Sequence, residues 1–282
     1  MKDIKVTMLG TGSPYPALHR AASAQLLQID DMNVLIDCGQ ETTSQLQRIG
    51  VEPQDVHHLW FTHLHSDHTM GYFQFLIGGW HLGRRKLSVV GPKGIKEFHE
   101  TVLKMYEDDI NYRTSLGFPA EGIHDVEIYE IEEPGDIPAG DIPAKVTSAP
   151  MIHNVTTYAF RFEIDNTVIV FSGDSSPTQH LTDLSENADL LIHDCVLTAK
   201  EKAENTNLDT IWEKLQKEHC TPAQAAETAK QSNTKRLLLT HFLPSIDEEH
   251  VESEVRRVYD GELILGQDLQ TVDLTKKTVT TL

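Results

Sequence analysis

Phe61-Thr62-His63-Leu64-His65-Ser66-Asp67-His68-Thr69-Met70-Gly71 places three imidazoles and one carboxylate within six residues, His63 to His68. Just upstream, Val56-His57-His58-Leu59-Trp60-Phe61-Thr62 is an apolar, β-rich run that reads as a buried strand. Just downstream, Tyr72-Phe73-Gln74-Phe75-Leu76-Ile77 reads as a helix start. The cluster therefore sits on the turn leaving a strand, where open α/β sheets place their chemistry. Such a turn lets His63 and His65 point one way while Asp67 and His68 reach another, which suits two adjacent metal ions. A single histidine is usually an ordinary surface or core residue. The order H-x-H-x-D-H at a strand exit is instead a metal-ligand pattern.

With 282 residues and a formal charge of −19, the chain has length for one large domain or two small ones. A hydrophobic share of 39% is enough for a substantial core. No stretch approaches the ~20 apolar residues of a membrane span. Ile4 to Leu9 enters a strand almost at once, which predicts no signal peptide. Cys38, Cys195 and Cys220 are scattered and odd in number, as expected for reduced thiols in the cytoplasm rather than a disulfide framework. Forty-three acidic residues against 24 Lys and Arg disfavour a large polyanionic substrate.

Working outward, Ile4–Leu9 leads into Gly10-Thr11-Gly12-Ser13-Pro14, a tight loop without P-loop spacing. Residues 24–36 read as a hairpin across Asp31-Met32, ending in Asp37-Cys38-Gly39. Thr42–Ile49 is a short helix stopped by Gly50, Gly78–Arg85 a loop, and Ile95–Tyr106 an amphipathic helix. Tyr106–Arg113 reads either as a solvated helix end or as a lid offering Tyr112 or Arg113 to an anionic substrate. Residues 134–143 form a Pro/Gly turn that suits a seam between two halves of one domain, residues 1–282. Strands follow at Lys145–Ala149, Tyr158–Ile164, Thr167–Phe171, Leu190–Ile192 and Arg236–Leu239. A helix is expected over Leu208–Leu215. Another follows at Thr221–Ser232, with Thr221 as cap, Pro222 first and Gln224 completing a capping box. Asp247–Tyr259 is helical, and the tail carries strands near Leu263 and over Thr271–Thr280.

His153, Asp174 and His241 each follow an apolar β run. Together with the opening cluster, in order and type, they resemble the ligand set of the metallo-β-lactamase fold superfamily. That resemblance covers nearly the whole chain and implies an α+β four-layer αββα sandwich. It also implies that His63, His65 and His153 hold one metal, that Asp67, His68 and His241 hold a second, and that Asp174 bridges them. Asp37 would support the ligand turn by hydrogen bonding. Imidazoles with a few carboxylates suit two Zn²⁺, with Mn²⁺ or Fe²⁺ as alternatives. Two such ions about 3.5–4 Å apart can share a hydroxide that attacks an electrophilic centre, Asp67 accepting the proton.

Lys217-Glu218-His219-Cys220-Thr221-Pro222-Ala223-Gln224 and Thr240-His241-Phe242 are similar to segments of ribonuclease Z and the arylsulfatase-like phosphodiesterases. In that branch a histidine at the place of His219, oriented by an acid at Asp194, stabilises charge or protonates the leaving oxygen. The chain departs from ribonuclease Z between His153 and Asp174, where a tRNA-clamping arm gives way to a short hairpin. The expected activity is cleavage of a small anionic phosphodiester or sulfate ester, by a cytoplasmic homodimer, without tRNA or membrane. Ribonuclease Z activity itself, and a lactonase or thioesterase using the same metals, remain as alternatives. Redox chemistry is disfavoured because the flavodiiron branch carries Glu where this chain has His65.

Overall fold

The central strands are apolar on both faces, as expected where a sheet is covered on both sides. The structure, a computed structural model, describes residues 2–197 and 212–282. The first half contains β1 (Ile4–Gly10), β2 (Ala24–Ile29), β3 (Met32–Ile36), α1 (Thr42–Arg48), β4 (His58–Trp60), α2 (Ser66–Thr69), α3 (Tyr72–His81), β5 (Ser88–Pro92), α4 (Ile95–Met105), α5 (Glu107–Ser115) and β6 (Glu127–Ile131). The second contains β7 (Gly135–Ile137), β8 (Lys145–Pro150), β9 (Tyr158–Ile164), β10 (Thr167–Phe171), α6 (Gln179–Leu184), β11 (Leu190–Asp194), α7 (Trp212–Leu215), α8 (Pro222–Gln231), β12 (Arg236–Thr240), α9 (Glu248–Arg256) and β13 (Glu262–Leu265). The hairpin of β14 (Gln270–Asp273) and β15 (Thr278–Thr281) then returns to pair with β1.

Among the described residues the strands form two mixed sheets, ordered β15-β14-β1-β2-β3-β4-β5-β6 and β13-β12-β11-β10-β9-β8-β7. Strands β3 to β6 are parallel, as are β10 to β13. Side chains alternate faces along a strand, and the packing follows that period. Val34, Ile36 and Trp60 meet Phe160, Phe162, Phe171, Ile192 and Leu238 in one cluster between the sheets. Trp60 lies edge-on to Phe160 at 5.3 Å between centroids, a geometry aromatic rings favour. The alternate residues Leu35, Leu59 and Val89 face outward onto Tyr72, Phe75 and Leu76. In the second sheet Leu191, Leu237 and Leu239 face Leu181, Ala225 and Val255. The layers are helix, sheet, sheet, helix, as the resemblance to the metallo-β-lactamase fold superfamily implies. The chain crosses between sheets after β6, at the start of the Pro/Gly turn.

Several local expectations change. The strand before the histidines is confined to His58–Trp60, because the Thr62 amide leaves the ladder to donate to Asp37 Oδ1 at 2.8 Å. Gly78–His81, expected as loop, continues α3. A side chain at Gly79 would collide with the Arg84 guanidinium packed against it. That guanidinium is buried and donates to the carbonyls of Pro53, Val56, Phe75 and Leu76. Residues 107–115 form a helix of their own, and the tail expected as one strand is the β14–β15 hairpin. Of the helix expected over 208–215, Trp212–Leu215 is helical and 208–211 lie outside the described residues. No helix of the described residues is long and apolar enough to cross a membrane.

Candidate metal centre

The residues that follow β3, β4, β8, β10 and β12 meet at one edge of the sandwich. Three of these exits are forced into left-handed backbone: Asp37 at φ 59°, Gly173 at φ 61° and His241 at φ 64°. Non-glycine residues adopt that region at a cost, and such strain concentrates where side chains are aimed for function. The opening cluster itself is a single helical turn, Ser66–Thr69, entered from the extended His65. It packs tightly on the β3 exit, where the Cys38 amide donates to His68 O and the Gly71 amide to Cys38 O.

Two donor groups result. His63 Nε2 and His153 Nε2 stand 3.1 and 3.2 Å from His65 Nδ1. They lie 3.7 and 4.0 Å from Asp174 Oδ2. On the other side, Asp67 Oδ2 is 3.0 Å from His241 Nε2 and 3.7 Å from His68 Nε2. Asp174 joins this group too, 3.4 Å from His241 Nε2 through Oδ2 and 3.4 Å from His68 Nε2 through Oδ1. One carboxylate thus stands between both groups.

These donors fit divalent cations. Atoms at the corners of a zinc tetrahedron, with bonds of about 2.0–2.1 Å, stand roughly 3.3 Å apart, and the observed spacings bracket that value. Among the described residues His68 Nε2 is buried without a well-directed hydrogen bond, its nearest acceptor being Asp174 Oδ1 at 3.4 Å, which is costly unless something else satisfies it. The partners behind the ligands fix which ring nitrogen faces inward. His68 Nδ1 donates to Asp37 Oδ2 at 2.7 Å and His153 Nδ1 to the Glu218 carbonyl at 3.0 Å. Thr62 Oγ1 donates to Asp37 Oδ2 and accepts from His63 Nδ1. Each inner nitrogen is thereby left as a lone-pair donor. Burial disfavours a charged Asp174, yet His241, His68 and His63 hold its carboxyl well below the usual range. Burial pushes His63 well below its ordinary value.

His219 borders both groups. Its Nδ1 is 3.2 Å from Asp194 Oδ2 and 4.0 Å from Asp174 Oδ2, and its ring lies 5.1 Å from that of His153. Burial opposes its protonation, but the Asp194 hydrogen bond and Asp174 push its pKa up to about 9. Beside Asp67 opens a cleft of about 460 Å³, lined by Pro14, Tyr15, Leu18, Arg20 and Met70. The structure does not bring the expected lid residues here. Arg113 pairs with Asp109 at 2.8 Å within α5, Tyr112 is 62% exposed, and neither bonds to a residue of the cluster. The Glu218 carbonyl and Thr62 escaped the sequence reading. Backbone acceptors carry no residue-type signal, although Thr62 lies next to His63.

A family model described as "Anti-Pycsar protein Apyc1" matches residues 4–241. Ribonuclease Z of Mycolicibacterium gilvum is 29% identical over 280 residues, covering 96% of each chain. The crystal structure of the metallo-β-lactamase fold protein YhfI from Bacillus subtilis superposes with a TM-score of 0.73 at 25% identity, over 94% of this chain and 97% of that one. The short form of human tRNase Z superposes at 0.72 with 24% identity, over 96% and 99%. That likeness speaks to the fold alone. With two covered sheets, the ligand-type residues at one edge and a family match over most of its length, the chain belongs to the Anti-Pycsar protein Apyc1 family, within the ribonuclease Z-like branch of the metallo-β-lactamase fold superfamily.

Proposed function

We propose that the chain is a binuclear metal-dependent hydrolase of small phosphodiesters, and that the anti-Pycsar role in its family's name is exercised through that activity. The observation that carries this reading is Asp174 standing between two donor groups with His219 on their rim. His63, His65 and His153 would hold one ion and Asp67, His68 and His241 the other, with Asp174 shared. The donor set suits two Zn²⁺, with Mn²⁺ or Fe²⁺ as alternatives. Bound there, the ions supply Lewis acidity toward a phosphoryl oxygen and bring the pKa of a water to about 7.

The remaining steps belong to side chains of this protein. Asp67 accepts the proton of the attacking water. Asp37 and the Glu218 carbonyl keep the His68 and His153 rings from turning. Asp194 holds His219 Nδ1, leaving Nε2 as the nitrogen that can serve the substrate. As the P–O bond to the leaving group breaks, its electron pair goes to that oxygen and His219 supplies the proton. The cleft beside Asp67 has the size of a small-molecule site, and the charge of −19 disfavours a long polyanion.

Turnover of bis-(p-nitrophenyl) phosphate by Zn²⁺- or Mn²⁺-loaded protein, abolished by chelation, is the expected result. No turnover in fully loaded protein, with cleavage of an aryl sulfate or a lactone instead, would overturn the phosphodiesterase reading. The ribonuclease Z relatives support a second reading, endonucleolytic processing of tRNA 3′ ends. Against it stands the stretch between His153 and Asp174, which holds little more than the β9–β10 hairpin. Failure to cleave a tRNA precursor under conditions that turn over the small diester separates the two.

A further inference from the structure

The strand β11 ends on His193-Asp194, and the reaction outlined above uses only the second of these. His193 is fully buried, as is Cys220 beside it. The His193 Nδ1 faces two acceptors, the Asp194 carbonyl at 3.0 Å and Asp194 Oδ1 at 3.2 Å, so this nitrogen carries the proton. Its Nε2 is then the lone-pair side, and Cys220 Sγ lies 3.9 Å from it as a thiol donor. The other oxygen of the same carboxylate, Oδ2, is the one that meets His219 Nδ1 at 3.2 Å. The Ser175 amide reaches Oδ1 at 3.4 Å, and the Asp194 amide is itself tied to Ser172 Oγ. A buried chain therefore runs from Cys220 through His193 and Asp194 to His219.

We infer that His193 is a positioning residue for leaving-group protonation: by holding Asp194 Oδ1 it fixes the direction in which Oδ2 presents His219. The inference rests on the phosphodiesterase reading. It also gives a role to a buried imidazole at a strand position between the apolar Ile192 and the acid.

The test uses two substitutions that keep an amide in the same space. In His193→Asn the amide nitrogen falls near the former Nδ1 and can still donate to Asp194; in His193→Gln it falls near the former Nε2 and cannot. Turnover is measured on bis-(p-nitrophenyl) phosphate, whose leaving group needs little protonation, and on diphenyl phosphate, whose leaving group needs more. We expect His193→Gln to lower kcat on diphenyl phosphate by about 10–100-fold, the range for losing an outer-shell partner, with KM and bound metal unchanged. On bis-(p-nitrophenyl) phosphate the loss should be roughly 3-fold or less, and His193→Asn should stay within about 3-fold of wild type on both diesters. Equal losses on the two diesters, or equal behaviour of Asn and Gln, overturn the inference while leaving the hydrolase reading intact. A wild-type protein that cleaves neither diester overturns both. Should neither variant fold, Cys220→Ala removes the donor to Nε2; it is expected to cost more on diphenyl phosphate, and a uniform effect overturns the inference.

Discussion

Asp37 combines a backbone conformation that costs about 1–2 kcal/mol with three hydrogen bonds, from His68 Nδ1 and from the amide and hydroxyl of Thr62. Its replacement separates structure from metal binding. Asp37→Ala should weaken metal affinity by about 10–100-fold, read by competition with a chelator, and unchanged affinity would remove Asp37 from the supporting shell. His219→Ala should keep its metal and lose about 10²–10⁴-fold in kcat, whereas Asp67→Ala should lose turnover and part of its metal. The pKa of about 9 at His219 carries its own pH signature. A histidine whose folded value lies above its ordinary 6.5 stabilises the fold fully below that pH and loses the contribution as pH rises through 9. In chelator-treated protein, wild type should therefore be more stable than His219→Gln at pH 6, with the gap narrowing toward pH 10. A gap independent of pH would contradict this. The residues that gather at the sheet edge were legible in sequence because each is a coordinating residue type at a turn that closes an apolar run. His193 was not, since nothing in Leu190-Leu191-Ile192-His193-Asp194 separates a ligand from a buried partner. Tyr112 and Arg113 read either as a lid or as a solvated helix end, and on α5 Arg113 pairs with Asp109 while Tyr112 is exposed.

At the level of elements, local rules succeeded where the signal is local. The Thr221 hydroxyl accepts from the Gln224 amide and the Gln224 side chain accepts from the Thr221 amide, the capping box read from sequence. Thr221→Ala should cost about 1 kcal/mol, seen as a lower melting temperature. Because this cap adjoins His219 and Cys220, turnover should fall as well. Helix α3 shows the opposite case. Gly78-Gly79 reads as a helix breaker, with alanine favoured there by about 1 kcal/mol, and it is the Arg84 side chain, folded back from just beyond the helix, that makes Gly79 necessary. Gly79→Ala should therefore destabilise by about 1–3 kcal/mol, the cost of overpacking. A stabilised variant would contradict that packing argument. The β14–β15 hairpin was read as one strand because its turn, residues 274–277, carries no Gly-Pro or Asn-Gly punctuation; Lys277 supplies the positive φ of 58°.

For the whole molecule, the Trp60 cluster draws side chains from both sheets, and we propose that the two halves fold as one unit. Tryptophan fluorescence and far-UV circular dichroism should then report one coincident unfolding transition, and two separated transitions would refute a single domain. The sandwich was legible only through the resemblance of the His/Asp motifs to the metallo-β-lactamase fold superfamily, while the membership and order of each sheet came with the structure. Two sheets are needed because no single strand exit can supply all seven donors: His63, His65, Asp67 and His68 come from the first sheet, and His153, Asp174 and His241 from the second. The sheet–sheet packing is thus what brings the proposed metal-binding residues together. The most direct test is a Zn²⁺ titration of metal-free protein with turnover of bis-(p-nitrophenyl) phosphate followed throughout. Activity that rises and saturates at two equivalents per chain is the predicted result; full activity at one equivalent, or none at two, would contradict an Asp174-bridged binuclear hydrolase.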